Sequence, residues 1–474
     1  MARFDRRTIL TGTMAAGLLT ATGSHAASSR AKRSPNILFL LADDLRFDGV
    51  GVRNPMVRTP NIDRLAGRGA RFSNAFVTTS ICCTSRASIQ TGVYARRHQS
   101  WDFKTPLAEP FRSHTYSRLL RAAGYRTGYF GKYDIANLSK ETQTAQPLDF
   151  DAFRMFEDYY APEDTQREWH NNRRLADLAR SFIRDTPAGT PFCLTIGFKA
   201  PHAKDDGDPV MGPYVAEPDM FKLYEKDIFT RGTTMTDQAF ADLPPYIQNS
   251  EARRRWKQRF STPELWQDSV RKYFGLVTGM DRAIGQTLAM LEATGQLDNT
   301  MIVFGSDNGY FLGDYGLEGK WFGYEASVRV PLIIVPPGGM RAREVNSVVL
   351  NIDLAPTFLA AAGVAVPEMV QGHDLSPLLK GQTPRGWRTD FLYEHYLPQL
   401  YNYSKGVESV LPSSEGVRND RYTYLRYPRQ PGLNEMLFDR HADPDELRNI
   451  ASTCDPQLLQ SLRKRTDELI AQMT

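Results

Sequence analysis

The stretch Cys82-Cys83-Thr84-Ser85-Arg86-Ala87-Ser88-Ile89-Gln90-Thr91-Gly92 sets two thiols, a hydroxyl and a guanidinium close together. Ser85 is a good helix cap and Gly92 a stop, so the sequence predicts a helix starting at Ser85, with Cys82 just ahead of it. Unpaired backbone N–H groups and the helix dipole favour negative charge there. A cysteine so placed, with Arg86 four residues on, suits a tetrahedral oxyanion such as sulfate or phosphate. On this stretch alone, two ordinary thiols at a strand end is an equal reading.

Other charged groups recur behind apolar runs. Asn36–Ala42 is continuously apolar after its first residue, as a fully buried strand is, and it ends in Asp43-Asp44. Open α/β sheets place ligands at the carboxyl ends of such strands. Two adjacent carboxylates there repel each other, which makes a divalent cation their natural partner. Tyr125–Phe130 leads into Lys132-Tyr133-Asp134, Phe192–Phe198 into His202, and Met301–Phe304 into Asp307-Asn308, with Lys320 in the following loop. Convergence at one sheet edge explains all of these with a single assumption. Three carboxylates and an amide oxygen are hard ligands, suited to Ca²⁺ or Mg²⁺ rather than zinc. Arg86, Lys132 and Lys320 would then surround a dianionic group.

The elements that must position these groups alternate between strand and helix patterns. This predicts an α/β fold with a large, mostly parallel sheet flanked by helices. From about Gly386 the pattern changes to strand-turn-strand (Phe391–Tyr396, Gly416–Tyr427, Glu435–Asp439) and closes on a helix at Pro456–Met473. The expected domains are a leader at 1–26, a catalytic domain at 34–385 and a smaller antiparallel-sheet subdomain at 386–474. Ala203–Pro263 is charged, punctuated by Pro and Gly and weakly periodic, and reads as a long functional lid. Within it Arg253–Lys257 reads as a solvated helix face, with contact to an anionic glycan as the alternative.

The 474 residues carry a net charge of +4, of which the leader holds +2, so nothing proposes a nucleic-acid partner. Arg6-Arg7, a mild apolar run and Ser24-His25-Ala26 read as an export leader of twin-arginine type, with a general secretory leader as the alternative. That predicts a periplasmic or secreted protein. No later run reaches the ~18 apolar residues needed to span a bilayer. Four cysteines make no disulfide framework, although a Cys193–Cys454 bridge stays open.

The Cys82 stretch resembles the signature of the sulfatase family, Cys-x-Pro-Ser-Arg followed by Thr-Gly. Cys82, Ser85, Arg86, Thr91 and Gly92 match, and Thr84 replaces the proline. The resemblance implies that a formylglycine-generating enzyme oxidises Cys82 to Cα-formylglycine, whose hydrate is the nucleophile. It also implies that Asp43, Asp44, Asp307 and Asn308, together with residue 82, hold a metal, usually Ca²⁺. Arg86, Lys132, His202 and Lys320 match sulfate-contacting positions. Many relatives carry a histidine where this chain has Asp134, so Asp134, His98 or His395 is expected to take over that proton-accepting role. Glu394-His395-Tyr396 resembles glycan-directed members such as N-acetylglucosamine-6-sulfatase, which makes a sulfated carbohydrate the expected substrate. Small arylsulfatase, phosphonate or phosphodiester hydrolase, and a non-catalytic sulfate-binding protein are the alternatives.

Overall fold

A computed structural model describes residues 34–474, except 136–148, 157, 162, 163, 165, 397–400, 403–407, 410 and 431–433. The expected leader at 1–26 lies outside the described residues. In chain order the main elements begin with β1 (Asn36–Asp43), α1 (Pro60–Gly67), β2 (Ala70–Phe72), α2 (Cys82–Thr91), β3 (Arg126–Gly131) and β4 (Ala152–Arg154). They continue with α3 (Asn171–Arg184), β5 (Phe192–Pro201), α4 (Pro263–Ala293), β6 (Thr300–Ser306), β7 (Leu332–Val335) and β8 (Arg343–Val345).

The eight strands form one sheet in the order β8-β2-β7-β6-β1-β5-β3-β4. Only β7 runs against its neighbours β6 and β2. β1 lies between the parallel partners β5 and β6, with Leu40 opposite Ile196 on one side and Phe304 on the other. Every residue of β1 is buried because both faces of the sheet are covered. Ile37, Phe39 and Leu41 point into one apolar cluster, and Leu38, Leu40 and Ala42 into another on the opposite face. Burying each large side chain contributes roughly 1.5–3 kcal/mol, and the period of two spreads that over both layers.

A second, antiparallel sheet follows, built in chain order from β9 (Asp390–His395), β10 (Ser414–Asn419), β11 (Tyr422–Arg426) and β12 (Glu435–Asp439). The last helix, α5 (Pro456–Met473), packs against β9 and β10 and buries Leu462, Thr466 and Leu469. Phe391, Leu392 and Tyr393 belong to the same apolar cluster as Ile37 and Phe39, so the two sheets share a core.

Several expectations change. The catalytic helix begins at Cys82 rather than Ser85, after an extended Ile81 (φ −156°, ψ 136°). Ser85 does not cap it, because its hydroxyl accepts a hydrogen bond from Asn351 Nδ2 at 2.9 Å. Gly92 does end it, in the left-handed conformation (φ 71°) that glycine adopts freely. Ala203–Pro263 is not structureless: it contains the short helices Pro218–Lys222, Asp237–Ala241, Pro245–Gln248 and Glu251–Arg259. Helices this short leave little periodicity to read.

Arg253–Lys257 lies on the last of these helices and is solvated only in part, with Lys257 exposed and Arg255 buried. Arg255 is buried, with ion pairs to Glu251 and Asp205 at 2.9 Å each. Arg253 stacks on Phe240 and Trp256 at 3.8 and 3.9 Å. Cys193 and Cys454 are free thiols, so the open bridge is not made. Among the described residues no helix is long and apolar enough to cross a membrane.

Candidate active site

The parallel strands deliver their charged ends to one edge. Asp43 closes β1, Lys132 follows β3, His202 follows β5 and Asp307 follows β6. α2 enters the same edge with Cys82 in its first turn and Arg86 one turn on. The polar atoms of Asp43, Asp44, Cys82 and His202 lie within 4.8 Å of one another. Asp307 and Asn308 complete the group: Asp44 N donates to Asp307 Oδ1 at 3.3 Å, and Asn308 Nδ2 donates to Asp44 Oδ1 at 2.6 Å.

Cys82 Sγ sits between a cation and an anion. Lys320 Nζ donates to it at 3.0 Å, and it donates to Asp43 Oδ1 at 3.4 Å. Lys320 also pairs with Asp44, and Lys132 with Asp43 and, at 3.1 Å, with Asp134. Arg86 Nε donates to Asp307 Oδ2 at 2.7 Å and Nη1 to the Tyr129 hydroxyl at 3.1 Å and to the Lys132 carbonyl.

Two glycines make that last contact possible. A Cβ on Gly197 would lie 2.4 Å from the Lys132 carbonyl and 3.1 Å from Arg86 Nη1, and one on Gly131 (φ 105°) would lie 2.0 Å from the Gly197 carbonyl. Backbone in the left-handed region also recurs at the site in non-glycine residues, at Asp44 (φ 62°), Asp134 (φ 55°) and Trp321 (φ 84°). Such conformations cost of order 1–3 kcal/mol each and persist only where surroundings enforce them.

The electrostatics leave the site short of positive charge. Arg86, Lys132 and Lys320 face four carboxylates, Asp43, Asp44, Asp307 and Asp134. Burial pushes the Asp307 carboxyl up to about 7, helped by the charge of Asp43. Burial, with Asp43 beside it, likewise raises Asp44. Burial would raise Asp43 too, but Lys132, Arg86 and Lys320 outweigh it and hold that carboxyl below its ordinary value.

Asn308 Oδ1 is buried without a hydrogen-bond partner, and Asp43 Oδ2 has only cations beside it. A crowd of buried carboxylates with an orphaned amide oxygen fits a hard divalent cation. Burial, then the charge of Asp43, raises the Cys82 thiol well above its ordinary value, so it is a poor thiolate nucleophile as it stands. Burial and the nearby cations, Lys132 and Lys320 first, hold His202 well below its ordinary value.

Two expected residues make no hydrogen bond to these groups. His98 is a satisfied core histidine: its Nε2 pairs with Ser88 Oγ at 3.0 Å, and its Nδ1 accepts from Ser100 N at 3.1 Å. With both nitrogens committed it has nothing to offer a substrate or a proton. His395, at the end of β9, is fully buried with neither ring nitrogen hydrogen-bonded, and is closed to solvent. Tyr129 and Asn351, which hold Arg86 and Ser85, escaped the sequence reading because an isolated tyrosine or asparagine carries no signal. Gly197 offered one, since a glycine inside a buried strand marks close backbone approach.

A family profile described as Sulfatase matches residues 35–364, and one described as N-sulphoglucosamine sulphohydrolase, C-terminal, matches 313–472. The chain is 29% identical to an N-acetylglucosamine-6-O-sulfatase of Bacteroides thetaiotaomicron, covering 88% of this chain and 83% of that protein. It is 28% identical to the multifunctional alkaline phosphatase superfamily protein PehA of Trinickia caryophylli, covering 88% and 91%. Its fold matches a solved structure described in complex with its substrate D-glucosamine-2-N,6-O-disulfate, with TM-score 0.76 and 25% identity over 93% of this chain and 98% of that one. A phosphonate monoester hydrolase of Agrobacterium radiobacter shares the fold at TM-score 0.75 and 22% identity, over 93% and 96% of the two chains.

Proposed function

The chain belongs to the sulfatase family and is a sulfuric ester hydrolase, and from that premise we propose that it releases sulfate from a sulfated carbohydrate after Cys82 is oxidised to Cα-formylglycine. The observation that carries the reading is Cys82 Sγ, wedged between Lys320 Nζ at 3.0 Å and Asp43 Oδ1 at 3.4 Å. In the oxidised residue an oxygen on the same carbon takes the place of this sulfur, so these contacts are the ones the nucleophile would meet.

Asp43, Asp44, Asp307 and Asn308 would hold the cation, with residue 82 beside them. A protein-rich oxygen set suits Ca²⁺ better than Mg²⁺, which keeps several waters. When bound, the metal polarises sulfuryl oxygens and the formylglycine hydrate supplies the attacking oxygen. The chain's own groups do the rest. Arg86 is locked by Asp307 and Tyr129, so its guanidinium presents charge without reorganising. Lys132 and Lys320 keep their protons, because their carboxylate partners outweigh the burial that would otherwise lower them. Both therefore stay charged, as fixed cations that stabilise negative charge building on the sulfuryl oxygens and the departing alcohol. His202 Nδ1 faces the Ala203 carbonyl, which leaves Nε2, 3.6 Å from Asp44 Oδ2, as an acceptor rather than a donor. Asp134, paired to Lys132, takes the proton-accepting position that relatives give to histidine.

The sugar substrate rests on the named relatives, and export on the twin-arginine leader, with maturation by a formylglycine-generating enzyme that accepts Thr84. The test is intact mass of the Cys82 peptide from the native host, about 18 Da below the thiol form, with turnover of a sulfated monosaccharide panel. An unmodified thiol would indicate a sulfate-binding protein instead, turnover of aryl sulfates alone would remove the sugar, and faster cleavage of phosphate diesters would favour the phosphonate-hydrolase reading.

A further inference from the structure

Lys320 reaches Cys82 from a loop, and that loop is held at the very next residue. Trp321 lies at φ 84°, a conformation that side chains with a Cβ rarely adopt, yet its indole is buried. Both of its backbone polar groups are engaged. Its N–H donates to the Ser80 carbonyl at 3.2 Å, two residues before Cys82. Its carbonyl accepts from the Tyr393 hydroxyl at 2.9 Å, from strand β9 of the antiparallel sheet.

Two glycines clear the way for this arrangement. A Cβ on Gly319 would lie 2.5 Å from the Trp321 indole, and one on Gly323 would lie 2.9 Å from the Tyr393 ring. Tyr393 is itself buried and occurs on the same strand as His395. The backbone of one residue thus ties three things together: the chain that leads into Cys82, the lysine that touches it, and the second sheet.

We infer that Trp321 and Tyr393 are positioning residues, through which the antiparallel sheet fixes the distance between Lys320 and the nucleophile. The inference rests on the proposed reading of Lys320 as a sulfuryl-contacting group. Neither residue touches substrate; each acts through the placement of an ammonium. A misplacement of about an ångström at such a group costs up to about a hundredfold in rate.

The discriminating comparison is Trp321→Gly against Trp321→Ala. Both lose the indole, but only glycine adopts a φ of 84° without strain. If backbone geometry at this peptide is what holds Lys320, the glycine variant keeps at least about fivefold more kcat/KM than the alanine variant. Equal activities, or alanine the better, would overturn the inference. Tyr393→Phe removes a single hydroxyl and guards against loss of folding in the tryptophan pair. Its expected signature is a Tm lower by only about 1–3 °C, the cost of one buried hydrogen bond in a chain of this size, an unchanged fraction of oxidised Cys82 by mass, a kcat/KM about tenfold lower, and weaker inhibition by inorganic sulfate. A purely structural tyrosine would lower Tm and leave sulfate inhibition unmoved, which also overturns the inference. Lys320→Ala is run alongside. If it is crippled while Tyr393→Phe matches wild type, this inference alone falls; if Lys320→Ala matches wild type, the reading of the site falls with it.

Discussion

Replacing His98 by glutamine tests both its exclusion from the proton-accepting role and its part in stability. The imidazole is fully buried, and its neutral tautomer is required on both sides, because Nδ1 accepts from Ser100 N and Nε2 pairs with Ser88 Oγ. Burial pushes its pKa from 6.5 down to about 3. Unfolding exposes the ring, which then takes up a proton at ordinary acidity. The folded pKa is lowered, so this histidine's contribution is full above pH 6.5 and drains away as pH falls towards 3. At about 1.4 kcal/mol per pH unit, the loss approaches ~5 kcal/mol over the whole interval and ~2 kcal/mol by pH 5. Urea unfolding followed by tryptophan fluorescence at pH 7.5, 6 and 5 reads it directly. His98→Gln is expected to be less stable at pH 7.5 by about 1–3 kcal/mol through lost hydrogen bonds. The gap to wild type should then narrow by ~2 kcal/mol at pH 5, while KM for a sulfate ester stays unchanged. Parallel pH dependences in the two proteins, or a raised KM with unaltered stability, would refute the reasoning.

Other outcomes follow from the same geometry. In the chelator-treated protein Arg86→Ala leaves Asp307 buried without its cation, so beyond abolishing turnover of the loaded enzyme it should cost about 3–5 kcal/mol in denaturant unfolding of the metal-free form; restoring that stability with Asp307→Asn in the same chain would confirm the cause. Gly197→Ala drives a Cβ to 2.4 Å from the Lys132 carbonyl, and activity should fall by at least tenfold with only a modest loss of Tm, since Arg86 and Lys132 are displaced together. Treatment with a chelator should abolish turnover and lower Tm, and Ca²⁺ should restore both; bound cation at a hundred times its Kd stabilises by ~2.7 kcal/mol.

Much of this site was legible without coordinates, and the reason is chemical. A continuously apolar strand can be read from its letters, and Asp43-Asp44, Lys132, His202 and Asp307-Asn308 each follow one. Because parallel strands end on the same edge, marking the strands was enough to gather the residues that follow them. Helix α5 and the change to hairpins after Gly386 were equally plain, since periodicity and turn residues are local properties. What the letters could not carry were contacts between distant segments. Ser85 looks like a helix cap until Asn351, far along the chain, takes its hydroxyl and the helix starts at Cys82. Arg253 and Arg255 look solvated until Phe240 stacks on the first and Asp205 pairs with the second. His98 looks available until two serines occupy it. The charge imbalance at the site, the use of Gly197 to bring Arg86 against the Lys132 carbonyl, and the tie from Tyr393 to Trp321 likewise depend on distance in space. Residue types and their local order determined the kind of chemistry this chain can do; packing between remote segments decided which copies of each residue type were left free to do it.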